Sequence, residues 1–157
     1  PDRAPKTVAN FLALVRGGYY TNTIFHRVVK GFVIQCGGYS AGSQTKVKAP
    51  GSGVPNESKN GYRNLRGTLA LARTSNPNSG KMQFFINLKY NAFLDYKYEK
   101  NPPRYPSWST YGYTVFGKVI RGMDVVDRIG SVAVLSRGGA FHNLPVTEVI
   151  IKSISVR

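Results

Sequence analysis

The run Phe25-His26-Arg27-Val28-Val29-Lys30-Gly31-Phe32-Val33-Ile34-Gln35 sets one guanidinium and one side-chain amide on either side of a large aromatic residue. A second run, Gln83-Phe84-Phe85-Ile86-Asn87, again puts an amide beside aromatics. Arginine stays protonated and presents a planar fork of donors, so an Arg held against apolar surface is a fixed donor for a lone pair that develops beside it. Chemistry of that kind needs no nucleophile and no metal. Nothing pairs His26 with a Ser, Cys or Asp in a triad, so His26 reads as a satisfied structural side chain. The single Cys36 and the two distant histidines, His26 and His142, lack metal-ligand spacing. Taken alone, Arg27 would be an exposed strand arginine and each Phe a core residue. Gln35 and Gln83 are amides among apolar neighbours and need partners, either in one another's backbone or in the backbone of a bound peptide.

These residues must be held by short strands. Val8, Phe11, Leu12 and Val15 make one apolar face of a helix over 5–15, opened by Pro5 and stopped by Gly17-Gly18. A second helix is expected over 123–129, ended by Gly130. Elsewhere apolar runs alternate with turn residues, and strands are predicted at 23–29, 32–35, 68–72, 83–88, 114–119 and 146–156. Many short strands with two helices favour a closed antiparallel barrel over a β-α-β sheet. Residues 37–66 read as loop, and so do residues 95–112, where three Pro and five aromatics point to a segment that packs on the body or covers a groove.

Composition narrows the class. A chain of 157 residues with 41% hydrophobic content has the size and core of one domain, 1–157. It contains no apolar run of about 18 residues, the length that a membrane helix requires. The 22 Lys and Arg against 7 Asp and Glu give a formal charge of +15. The cations are spread from Arg3 to Arg157 with no nucleic-acid motif, so the charge implies at most non-specific, salt-sensitive contact with nucleic acid. A lone Cys36 leaves the redox compartment open.

Taken together and in order, the two signature runs resemble those of the cyclophilins, which catalyse cis–trans isomerisation of X-Pro peptide bonds. The likeness, closest to bacterial members, continues through Ala-Pro-Lys-Thr-Val-Ala-Asn-Phe at 4–11, Arg-Gly-Thr-Leu-Ala-Leu-Ala-Arg-Thr at 66–74, Asn-Ala-Phe-Leu-Asp at 91–95 and Val-Phe-Gly-Lys-Val-Ile-Arg-Gly-Met-Asp-Val-Val-Asp at 115–127. It implies a mainly β fold, an eight-stranded antiparallel barrel flanked by two α-helices. It implies a peptidyl-prolyl isomerase without cofactor or metal, acting on proline-containing peptides and unfolded proteins and assisting folding. The matching positions make Arg27 the catalytic residue. Phe32, Val33, Phe85 and Leu94 line the proline pocket, Gln35 and Gln83 grip the substrate, Ala72, Arg73 and Thr74 flank it, and His26 stands behind. Phe93 matches a tryptophan that helps many eukaryotic members bind cyclosporin, and Tyr113 matches a nearby histidine. Weak cyclosporin binding at most is the expectation.

Three departures from the family pattern carry expectations of their own. Cys36 replaces a usual glycine and is expected to add a side chain near the groove. Gly80-Lys81-Met82 replaces a usual Ala-Thr-Ser. The family has one or two strands ahead of the segment matching Asp2-Arg3-Ala4-Pro5, so an N-terminally truncated barrel with an open edge beside 146–156 is expected. The compartment is unknown, with bacterial cytoplasm and periplasm both open. Two other functions fit the sequence: a proline-peptide binding module without turnover, and a basic nucleic-acid-associated protein.

Overall fold

The computed structural model describes residues 2–48, 50–98 and 110–156. Helix α1, Pro5–Arg16, has Pro at its first turn and no side-chain cap of its own. Its open N–H groups are met from far along the chain: the Glu57 carboxylate accepts from Lys6 N at 3.1 Å, Thr7 N at 2.8 Å and Thr7 Oγ1 at 2.7 Å. A carboxylate at the positive end of a helix is favoured, and here it also pins the loop around Glu57. The face that α1 buries is rotated from the expected one. Phe11, Leu14 and Val15 reach the core, whereas Val8 and Leu12 are only half-buried and lie outside it. The polar Thr7 is buried because Glu57 satisfies it.

The strands are β1 Thr23–Val29, β2 Val33–Ser40, β3 Thr68–Leu71, β4 Phe84–Asn87, β5 Val115–Lys118, β6 Val134–Leu135, β7 Leu144–Pro145 and β8 Ile150–Ile151; helix α2 spans Met123–Ile129. Six of the strands form one antiparallel sheet in the order β5-β3-β4-β2-β1-β8, and β6 pairs with β7. The molecule is mainly β with two helices, and β1 and α2 have the expected bounds. The strand β2 runs five residues past its expected end at 35, into the segment read as loop. The strand expected over 146–156 is a ladder of two residues. Its other β-branched residues do different work: Val149 and Ile154 pack on the core, and the Val149 carbonyl accepts from Phe25 N at 2.9 Å. The aromatic loop of 95–112 falls largely on 99–109, outside the described residues.

Alternation along the strands separates two apolar clusters. Ile34, Cys36, Phe84 and Ile86 point to the main core, with Phe25, Val28, Tyr20, Met82, Leu14, Val15 and Val126. Val33 and Phe85 point the other way, into a smaller cluster with Ala70, Leu94 and Val115. Cys36 therefore does not stand near the groove as expected. It is 0% exposed in the core, one residue out of step with Gln35, and burial pushes its thiol pKa up. Met82 is likewise core, while its carbonyl accepts from the buried Tyr20 hydroxyl at 2.9 Å. Among the described residues no helix is long and apolar enough to cross a membrane.

Candidate active site

Arg27 owes its direction to a slip in pairing. Phe25 stands opposite Cys36, but Arg27 stands opposite Gln35, so β1 carries one extra residue, His26, between them. A bulge of one residue exchanges the faces of a strand. Phe25 faces the core with Cys36; Arg27, two residues on, faces the groove with Gln35. Its guanidinium carbon lies 5.7 Å from the centroid of Phe32. Among the described residues it has no ion-pair partner.

Beside it lies the smaller cluster. Val33, Phe85 and Leu94 are buried there, and Phe32, Ala72 and Tyr113 pack on its rim. Phe85 and Tyr113 meet edge to face at 5.4 Å. Phe93 stacks on Phe32 at 5.4 Å and is 65% exposed. Four residues expected to line an apolar slot, Phe32, Val33, Phe85 and Leu94, are thus together.

The two amides are together as well. Gln35 Nε2 donates to Gln83 Oε1 at 2.9 Å, so they satisfy one another side chain to side chain. A Cβ on Gly38 would sit 2.1 Å from Gln83 Nε2, so glycine there makes room for the pair. Ala72 N donates to the Gln83 carbonyl at 2.8 Å, which sets the Ala72-Arg73-Thr74 segment along the same edge. Thr74 N and Oγ1 meet Ser79 Oγ at 2.9 and 2.8 Å. The Arg73 guanidinium lies 4.6 Å from the Tyr113 centroid and donates to the carbonyls of Gly112, Tyr111 and Thr74.

His26, the bulged residue, is 2% exposed. Burial, aided by the Arg27 charge, lowers its pKa to about 4 against opposing hydrogen bonds with the Ile24 backbone and the Gln83 side chain. Its Nδ1 has no partner among the described residues, which suits a neutral ring.

One layer escaped the sequence reading. Asn64, Asn87 and Asn91 are buried side by side behind the slot. Asn91 Nδ2 donates to the Phe32 carbonyl at 3.1 Å and to Asn87 Oδ1 at 2.7 Å; Asn87 Nδ2 donates to Thr68 Oγ1 at 3.0 Å and Asn64 Oδ1 at 3.2 Å; Asn64 Nδ2 donates to the Leu94 carbonyl at 3.0 Å. Asn87, which closes the apolar run Phe84-Phe85-Ile86, was the available signal, since buried amides are there to be bonded.

The geometry is an apolar slot, a donor fork at its lip and paired amides beyond. The family model for cyclophilin type peptidyl-prolyl cis-trans isomerases matches residues 1–156. The chain belongs to the cyclophilin-type peptidyl-prolyl cis-trans isomerases. Its activity is therefore isomerisation of X-Pro bonds. Among curated relatives, peptidyl-prolyl cis-trans isomerase B of Escherichia coli is 48% identical over 99% of this chain and 88% of its own length. Isomerase A of Dickeya dadantii is 44% identical over 99% and 75%. Among solved cyclophilins, the Cryptosporidium parvum enzyme crystallised in the presence of the dipeptide Ala-Pro has a TM-score of 0.72 and 31% identity, covering 99% of this chain and 87% of that one.

Proposed function

We propose that Arg27 drives isomerisation of X-Pro bonds by donating to the prolyl nitrogen. The X-Pro bond turns slowly, in roughly 10–100 s at 25 °C, because amide resonance must be broken. In the twisted state the prolyl nitrogen is pyramidal and carries a lone pair. A guanidinium donor aimed at that lone pair stabilises the twisted state and not the planar one, and only such differential binding speeds the step. No bond is made or broken, and no proton leaves the enzyme.

The observation that carries this reading is Arg27 beside Phe32, at the lip of a slot built from Val33, Phe85, Leu94 and Tyr113. The slot suits a prolyl ring, which is apolar and has no N–H to satisfy. Gln35, Gln83 and the 72–74 segment hold the substrate backbone while the bond turns, and His26 supports Gln83 from behind. The whole chain acts as one isomerase domain, its substrates are proline-containing segments of peptides and unfolded chains, and its role is to assist folding. Cyclosporin binds weakly, and the charge of +15 gives only salt-sensitive contact with nucleic acid.

Exchange between the cis and trans forms of an Ala-Pro peptide, followed by NMR with and without the protein, tests the reading. Accelerated exchange that depends on Arg27 supports it. Peptide binding without acceleration would make the chain a proline-peptide binding module instead.

A further inference from the structure

Beyond Gln35 and Gln83 the groove continues into an open pocket of about 730 Å³. Its lining includes Lys46, Lys48 and Lys81, all exposed, and among the described residues it contains no Asp or Glu. The slot and the pocket are neighbouring rows of one sheet. Arg27, Gln35, Phe85 and Ala70 are successive partners across β1, β2, β4 and β3. Gln83 and Ala72, partners in turn, stand just past the ends of β4 and β3, two residues on from Phe85 and Ala70. Two strand residues span about 7 Å, the rise of two residues in an extended peptide. A substrate lying along these strands with its proline in the slot sets a side chain two positions away into the pocket.

The lysines are held there by backbone. Tyr39 pairs with Lys46 and Val47 N donates to the Gly38 carbonyl at 3.0 Å, folding 46–48 back beside β2. On the far wall, Lys81 Nζ donates to the Gly51 carbonyl at 2.7 Å, which leaves two of its three protons for another acceptor. The acid bonded to this loop, Glu148, is engaged by Gly42 N at 2.9 Å and Gln44 Nε2 at 3.3 Å.

Resting on the isomerase reading above, we infer that this cyclophilin selects X-Pro segments carrying an acidic side chain two positions from the proline, its carboxylate received by Lys46, Lys48 and Lys81. The probes are Ala-Pro peptides with Glu, Gln or Lys placed either two residues before the proline or two residues after it. Catalysed exchange gives kcat/KM for each. At one of the two positions the order is Glu over Gln over Lys, with Glu about fivefold above Gln at low salt, as exposed charge pairs allow. Added NaCl shrinks the ratio by screening. In the variant Lys46→Gln/Lys48→Gln/Lys81→Gln the Glu-to-Gln ratio falls to about one. Equal turnover of all peptides at both positions, or a preference that survives the triple variant, overturns the inference and leaves the isomerase reading intact. Turnover of none of them removes the reading beneath it.

Discussion

The side-chain amide of Asn91 donates to the Phe32 carbonyl at 3.1 Å, and so ties the segment carrying Leu94 to the turn carrying Phe32. The two walls of the slot are thereby fixed to each other from behind. The same amide donates to Asn87 Oδ1, which is buried. Asn91→Ala leaves that oxygen without this donor and should cost about 1–3 kcal/mol of stability, the usual penalty for orphaning a buried polar group. Because the slot loosens, KM for an Ala-Pro peptide should rise as well. Denaturant unfolding with peptide kinetics checks both; unchanged stability would show that the asparagine network is not what braces the slot.

How much of this was legible beforehand varied by residue. Arg27, Phe32, Val33, Phe85 and Leu94 could be read as a group because two motifs in order constrain each other. Their common face could not be read, because it depends on the bulge at His26. Strict alternation from Phe25 would have put Arg27 on the core face, and nothing in a period-two pattern marks where an extra residue is absorbed. Cys36 was misplaced for a different reason: its place next to Gln35 in sequence suggested the groove, whereas alternation along β2 turns it to the core beside Phe84. The 146–156 segment looked like a long strand because β-branched residues serve packing and ladders alike, and composition does not separate the two. The lysines of the pocket were visible only as part of a scattered charge until the fold-back at 46–48 brought them to one place.

Phe93 stands at the exposed rim of the slot, stacked on Phe32. A tryptophan there would offer an indole N–H at the surface that a phenyl ring lacks. Phe93→Trp should therefore tighten cyclosporin inhibition by about fivefold, the worth of roughly 1 kcal/mol for one hydrogen bond. Inhibition constants for the two proteins decide it. Tight inhibition of the unchanged chain would mean that other contacts already suffice.

His26 makes stability depend on pH. Its pKa is about 4 in the folded protein and about 6.5 when exposed, so the unfolded chain takes up a proton first as pH falls. The neutral, buried ring contributes its full stability above about pH 6.5, and that contribution is lost as pH falls toward 4. The difference amounts to about 3 kcal/mol over that window. Unfolding free energies at pH 7 and pH 4.5 should diverge more in the wild type than in His26→Gln, where the titrating group is gone. Equal losses in both would assign the acid sensitivity to carboxylates.

The central claim is that Arg27 acts on the twisted state and not on the bound ground state. The direct measurement is exchange of an Ala-Pro peptide by NMR in the wild type and in Arg27→Ala, with the peptide's dissociation constant determined for each protein. Removal of one transition-state donor should lower kcat/KM by about 10²-fold or more while the dissociation constant changes only slightly. Turnover that Arg27→Ala leaves unaltered, or that falls only in step with weakened binding, would contradict the account.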